Sequence, residues 1–323
     1  MPPDRPDVTV VVATRNRARR LAALLASLRE QTLSADRFEV IVVDDGSTDD
    51  TQSVVRAEAE RGALRLALLT HGGGGGPGAA RNTGWRAARA PLVAFTDDDC
   101  EADPAWLEAL LEAWSGDVLE ALQGSATPIE SEIAGQGPLT YTYDYRERNL
   151  NFPTCNMAYP HALLERLAGF DAVAFPRTGE DCDLAWRAMA AGARVTFVAE
   201  ARVRHAVVHL SPGGMLRRAW RWGDAMPAFA RHPELRRQRL FRRRYFNWSH
   251  WYLLRLLVAV SLPWRRALWP LKYWLGRRYV EDRRWAAGRA QPSVGALAWN
   301  LAVDSVEMAA VVRGSVRHGT LVL

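Results

Sequence analysis

The stretch PLVAFTDDDCEADPAWLEALLEAW, Pro91 to Trp114, runs an apolar strand-like segment into three adjacent carboxylates, Asp97, Asp98 and Asp99, and then turns into a helix. In the helical half, Asp103 stands at the N-cap position, Pro104 at the first helical position, and Leu107, Leu110, Leu111 and Trp114 form one apolar stripe. Adjacent like charges repel and are costly to desolvate. Three in a row therefore belong in a solvated turn or beside a cation.

The same strand-then-helix order occurs three times upstream. VTVVVAT, from Val8, is a β-branched run of the kind covered on both faces, and the segment from Ala18 places Leu21, Leu24, Leu25 and Leu28 on one helical stripe. FEVIVVDD leads into GSTDDTQSVVRAEAERG, where Ser47 and Asp50 have capping-box spacing and Gly62 is a stop signal. LRLALLT is a third strand, followed by the glycine tract HGGGGGPG and the helix AARNTGWRAARA. Four such units predict a doubly wound, mostly parallel α/β sheet flanked by helices.

After Ala126 the periodicity breaks, and residues 127–154 read as irregular. PHALLERLAGFD and EDCDLAWRAMAAG then read as short helices ending at Gly169 and Gly192, and ARVTFVAEARVRHAVV returns to strand. The expected organisation is a catalytic domain over residues 1–210, with halves of about 1–126 and 127–210, and a helical extension over 211–323. Charge divides the same way. Residues 1–210 carry a net −9 and residues 211–323 a net +15, and nine of the thirteen tryptophans lie beyond residue 215.

Composition excludes several classes. Lys272 is the only lysine among 42 basic residues, which removes Schiff-base and Walker-type chemistry from the N-terminal half. The glycine tract is not followed by Gly-Lys and does not follow the first strand, so it is neither a phosphate-binding Walker loop nor a dinucleotide fingerprint. It reads as a flexible loop near the ligand, or as a linker. Cys100, Cys155 and Cys182 form no C-x-x-C pair, so neither a cysteine zinc site nor a disulfide framework is expected. The short polar N-terminus leaves no room for a signal peptide, and no run of 18 uncharged apolar residues predicts a spanning helix.

In an open parallel sheet, ligands bind at the carboxyl ends of the strands. Asp44 and Asp45 end the second strand, and Asp97 to Asp99 end the fourth. Two acidic clusters on one rim need a cation or a donor-rich ligand, and an Asp-x-Asp oxygen set suits Mg²⁺ or Mn²⁺. The bland alternative is a pair of solvated turns capping the next helices.

VVVATRNRARRLAALLASLREQT, FEVIVVDDGSTDDT, GAARNTGWRAARAPLVAFTDDDC and GEDCDLAWRAMAAGARV resemble, in order, the signature blocks of family 2 glycosyltransferases with the GT-A fold. The resemblance covers about residues 8–210 and implies the following roles. Thr14 and Arg15 would lie beside the nucleotide, Asp45 would accept a hydrogen bond from the base, and Arg81 would contact the nucleotide. Asp98 would bind the ribose and Asp99 the metal, with Asp97 completing the acidic motif and His205 a further metal ligand or, alternatively, a hydrogen-bonded core residue. Asp181 would be the base of an inverting transfer, with Glu180 and Asp183 as neighbouring alternatives. Thr154 to Met157 departs from the family's small glycine-rich entry.

The implied function is metal-dependent transfer from a nucleotide-sugar donor, UDP-linked by expectation, to a glycan or lipid-linked acceptor, as in cell-envelope polysaccharide synthesis. Residues 242–278 interleave Trp, Tyr and aliphatic residues with arginine, which suits a peripheral segment on anionic lipid at the inner face of the cell membrane. A helical subdomain packing on the catalytic domain is the alternative, and no nucleic-acid module is recognisable. Two other functions stay open: a catalytically silent sugar-nucleotide-binding or scaffold protein, and a nucleotidyltransferase of related fold.

Overall fold

β-Branched runs dominate the first half of the chain because a strand covered on both faces needs side chains that pack on a pleated surface. In the protein, a computed structural model describing residues 5–240, 242–259, 268–274, 276–277 and 294–323, these runs form β1 (Val8–Thr14), β2 (Phe38–Asp44), β3 (Leu66–Thr70) and β4 (Leu92–Asp97). Helices α1 (Ala18–Arg29), α2 (Thr51–Glu60) and α3 (Gly76–Ala87) join them in turn. All three strand pairings are parallel, β1 with β2 and β4, and β2 with β3.

The chain continues through β5 (Cys100–Ala102), α4 (Trp106–Ala113) and β6 (Glu120–Pro128), then β7 (Thr140–Tyr141), β8 (Met157–Pro160) and α5 (His161–Arg166). α6 (Glu180–Ala190), β9 (Arg194–His205) and β10 (Val208–His209) follow. The main sheet has the order β3-β2-β1-β4-β8-β6-β9-β5. It is a mixed sheet in an α/β arrangement: β8 runs antiparallel to β4 and β6, β5 runs antiparallel to β9, and the remaining pairs are parallel.

Strand alternation divides the core. Val8, Val10 and Val12 pack with Leu21, Leu24, Leu25 and Leu28 of α1 on one face of the sheet. On the other face lie Ile41, Val43 and Ala80. α3 approaches that face closely: a Cβ on Gly84 would come within 2.4 Å of Val11 Cγ1 and 3.1 Å of Val43 Cγ2. Only glycine lets the helix rest there.

Register then aligns the strand ends. Thr14 stands opposite Asp44, and Ala13 opposite Asp97, so the first, second and fourth strands deliver their last residues to one rim. On the far side of the sheet, the antiparallel pairing of β5 with β9 sets Cys100 opposite His205. That register brings His205 beside Asp99, whose carbonyl accepts the Ala206 N–H at 2.9 Å.

Three expected local features differ. α2 starts at Thr51, and the Ser47–Asp50 capping box does not form; Asp49 instead accepts the Thr51 N–H at 3.0 Å. α4 starts at Trp106 rather than Pro104, although Asp103 still caps the turn before it, accepting the Ala105 N–H at 3.2 Å. α3 begins inside the glycine tract, at Gly76, so the last tract residue belongs to a helix. Strands β6 and β8 were not legible in the sequence pattern.

Contacts divide the chain into two units, one holding the residues up to Ile129 with Thr142–Ala206, the other Glu130–Tyr141 with the residues from Val207 onward. In the second unit β7 pairs with β10, and α7 (Pro212–Arg221) is capped by Ser211, whose Oγ accepts the Gly214 N–H at 3.1 Å. α8 (Met226–Arg231), α9 (Pro233–Arg239) and α10 (Trp248–Ala259) follow, with a long helix over Val294–Arg317. Arg255 lies within α10 and does not interrupt it, and Pro263 lies outside the described residues.

The expectation that no segment could span a bilayer needs one correction. Among the described residues Val294–Arg317 is long and apolar enough by length and composition. It also carries Asp304, which accepts the Trp274 Nε1–H at 3.2 Å, and Glu307, which accepts from Asn247.

Candidate functional site

At the rim, Asp44 and Asp45 divide their work. Asp44 closes its own turn, accepting the Ser47 N–H at 3.0 Å and the Gln52 amide at 2.6 Å. Asp45 is anchored by its backbone, its N–H donating to the Thr14 carbonyl at 2.9 Å. Its carboxylate is buried, and Oδ1 has no hydrogen-bond partner among the described residues. Arg15, half exposed, approaches the other oxygen only to 3.9 Å.

The three consecutive aspartates divide between two arginines. Asp97 accepts from Arg81 Nη2 at 2.9 Å, and Arg81 Nη1 donates to Glu180 at 2.8 Å, which ties α3 to the first turn of α6. Asp98 accepts from Thr14 Oγ1 at 2.7 Å and from Arg17 Nη1 at 3.3 Å. Asp99 accepts from the same Arg17 nitrogen through Oδ2, while His205 Nε2 stands 3.4 Å from Oδ1. The structure thus groups Thr14, Asp98, Asp99 and His205, and sets Asp97 apart with Arg81.

Charge follows this geometry. Burial pushes the Asp98 carboxyl up to about 7, with Asp99 adding to the rise and Arg17 and the Thr14 hydrogen bond opposing it. Burial also drives Asp181 up, to about 8, reinforced by Glu180 and opposed by Arg81. Arg81 is buried at a cost to its charge, but Asp97, Glu180 and Asp181 more than offset that and raise it above the usual guanidinium value.

The acids of GEDCD are separated by their partners. Glu180 pairs with Arg81. Asp183, fully buried, pairs with Arg187 Nε at 2.7 Å, and Arg187 also donates to the Leu167 and Gly169 carbonyls. Asp181, half-buried, accepts the Cys182 N–H at 2.8 Å and forms no ion pair among the described residues. A proton acceptor must not be held in an ion pair, and among the described residues Asp181 is the one of the three that no arginine pairs.

The glycine tract meets the segment ahead of α6. Gly76 has φ +79°, and a Cβ there would come within 2.2 Å of the Pro176 carbonyl oxygen. α3 therefore starts flush against the segment that precedes GEDCD. His71, beside the tract, is engaged with Thr83 Oγ1 at 3.2 Å.

Among the described residues, Asp99, Cys100 and His205 form a group that could hold a divalent metal, with one potential ligand atom of each within 4.8 Å of the others. His205 Nδ1 is turned to the Ala206 carbonyl at 2.8 Å, which leaves Nε2 facing Asp99. A carboxylate with an imidazole suits Mn²⁺ or Mg²⁺, and burial holds the Cys100 thiol protonated by raising its pKa well above the usual value. The residues fit the ion. Arg17 and Cys100 carried no expectation from sequence; only the nearness of Arg17 to Arg15 and of Cys100 to Asp99 could have drawn attention to them.

Residues 9–170, half of the chain, match Glycosyl transferase family 2, and residues 137–304 match Glycosyl transferase family group 2. The chain belongs to glycosyltransferase family 2. A pre-mycofactocin glycosyltransferase of Mycobacterium tuberculosis is 32% identical over 250 residues, covering 72% of this chain and 49% of that protein. A validoxylamine A glucosyltransferase of Streptomyces hygroscopicus is 31% identical over 229 residues, covering 60% of this chain and 54% of that protein. The chain thus spans about half the length of these curated relatives.

Among solved structures, a mannosyltransferase from Pyrobaculum calidifontis in complex with GDP-Man and Mn²⁺ superposes with a TM-score of 0.59 at 24% identity, covering 97% of this chain and 87% of that one. Staphylococcus aureus TarS 1–349 with UDP-GlcNAc gives 0.54 at 18% identity, covering 97% and 92%. At these identities the likeness is one of fold, and it makes this family 2 chain a GT-A protein.

Proposed function

We propose that the protein is an inverting glycosyltransferase that moves a sugar from a nucleoside-diphosphate donor, a UDP-sugar, to a hydroxyl of a glycan or lipid-linked acceptor. The observation that carries this reading is the joint of Thr14, Asp98, Asp99 and His205 at the strand ends, with Asp181 kept apart on α6 and its pKa raised toward neutrality. The curated relatives named as glycosyltransferases and the nucleotide-sugar complexes of the structural neighbours support it.

Each residue then has a task. Asp45, with one buried oxygen lacking a partner, accepts an N–H from the base. Asp98 takes the ribose hydroxyls, held by Thr14. Arg81 lines the nucleotide side, fixed in direction by Asp97 and Glu180. Asp99 and His205 would hold the divalent ion, Mn²⁺ or Mg²⁺, which when bound would offset the negative charge that develops on the departing diphosphate. Asp181 accepts the acceptor hydroxyl's proton as that oxygen bonds to the anomeric carbon and the bond to the diphosphate breaks with its electron pair. One displacement inverts the configuration.

Nucleoside diphosphate release from UDP- and GDP-sugars, with Mn²⁺ and acceptor membranes present, tests this. No release from any donor would leave the reading of a silent sugar-nucleotide-binding protein in its place.

A second reading concerns the second unit, proposed to lie peripherally on anionic lipid at the cytoplasmic membrane face. The Arg255 guanidinium sits over the Trp251 and Trp269 rings at 5.1 and 5.5 Å, and Trp269 and Tyr273 are about half exposed. Amphipathic aromatics beside arginine suit a headgroup region. Flotation with anionic vesicles checks it, and protein remaining in the soluble fraction would exclude it.

A further inference from the structure

The three acids after the fourth strand are met by two arginines of different standing. Arg81 is built in: its side chain is 8% exposed and fixed between Asp97 and Glu180. Arg17, just ahead of α1, keeps 36% of its side chain exposed and reaches in to Asp98 and Asp99, whose side chains are 9% and 4% exposed. It occupies one oxygen of Asp99 while His205 faces the other.

A guanidinium at Asp99 cancels charge that a dication would need, and a dication held by Asp99 would repel it in turn. A nucleoside diphosphate changes the balance. It brings negative oxygens that match the guanidinium fork, so Arg17 has a second partner that exists only when donor is present. Its exposure on the solvent side allows the exchange without moving a core element.

We propose that Arg17 is a displaceable counter-ion that holds Asp98 and Asp99 in the metal-free protein and passes to the donor diphosphate on loading, so that metal and nucleotide bind together rather than singly. This rests on the metal-dependent reading above. Linkage makes the effect reciprocal: the factor by which nucleotide strengthens metal binding is the factor by which metal strengthens nucleotide binding.

Mn²⁺ binding to the full chain, followed by electron paramagnetic resonance without and with UDP or GDP, tests it. Without nucleotide, Arg17→Gln should bind Mn²⁺ at least about fivefold more tightly than wild type, and Arg17→Lys, which keeps the charge, should stay within about twofold. With Mn²⁺ present, Arg17→Gln should bind the nucleotide at least about fivefold more weakly. Metal-free Arg17→Gln should also melt lower than wild type and gain more from added Mn²⁺.

Unchanged or weaker Mn²⁺ binding by Arg17→Gln, while wild type binds the ion with nucleotide, would mean that Arg17 merely holds the carboxylates in place, and would overturn this proposal alone. Absence of Mn²⁺ binding by wild type with either nucleotide would remove the metal-dependent reading and this one with it. An Arg17→Gln chain that folds only with Mn²⁺ agrees with the proposal, since the ion then replaces the missing cation. One that folds with neither overturns it.

Discussion

Thr14 Oγ1 donates a 2.7 Å hydrogen bond to Asp98 Oδ2, tying the end of the first strand to the acidic turn after the fourth across 84 residues of chain. The bond favours the charged carboxylate against the burial that pushes Asp98 up to about 7. Thr14→Val keeps the volume and removes the donor, so Asp98 becomes still harder to ionise. A hydrogen bond to a charged group contributes about 1.5–3 kcal/mol, so nucleotide binding at pH 7 should weaken about tenfold. Calorimetry at pH 7 and pH 9 checks this, because the deficit should narrow at the higher pH.

Asp181 should tie activity and stability together in opposite directions. Its folded pKa, about 8, lies above that of the unfolded chain, so the fold prefers the neutral acid. The contribution is complete below the unfolded carboxyl value and is lost as pH rises through the folded one. Asp181→Asn, neutral at every pH, should therefore melt higher than wild type at pH 8 and show a smaller difference near pH 4. The same variant should bind nucleotide normally and lose about 10²–10⁴ of turnover. The wild-type rate should climb with pH through the neutral range and level off above about 8. Thermal melts and a pH–rate profile decide it.

The sequence made the strand ends legible and the cations that face them much less so. β1, β2 and β4 are continuous apolar runs, and their pattern alone predicts a parallel sheet with acids at one rim. β6 reads EALQGSATP and β8 only MAYP, segments poor in β-branched residues and interrupted by Gly or Pro. Their strand character comes from pairing partners far along the chain, which local propensity does not carry. Asp97, Asp98 and Asp99 look alike in sequence, yet one faces Arg81 and two face Arg17. That distinction arises from where α1 and α3 begin, and helix starts are poorly marked when no side chain caps them.

Gly84 tests how closely α3 must lie on the sheet. An alanine Cβ there would sit 2.4 Å from Val11 Cγ1, so helix or strand must shift. Overpacking of this kind costs about 1–3 kcal/mol, against a gain of under 1 kcal/mol in helix propensity. Gly84→Ala should lower the urea midpoint accordingly. Arg81 sits on the same helix, so the shift should also reduce nucleotide affinity, whereas an equal loss of stability from a distant core site should not.

Arg81 gives the sharpest test of the buried network. It is 7% exposed and bridges Asp97 on β4 to Glu180 on α6 with two different nitrogens. Removing one partner of a buried ion pair costs about 3–5 kcal/mol because the other charge is left without compensation, and Arg81→Ala strands two carboxylates. Arg81→Lys keeps the charge but not the planar fork, so it can satisfy one carboxylate at a time and should lose about half as much. Urea denaturation of wild type and the two variants should rank them in that order. A lysine variant as stable as wild type would mean that the two-nitrogen bridge adds nothing beyond the charge itself.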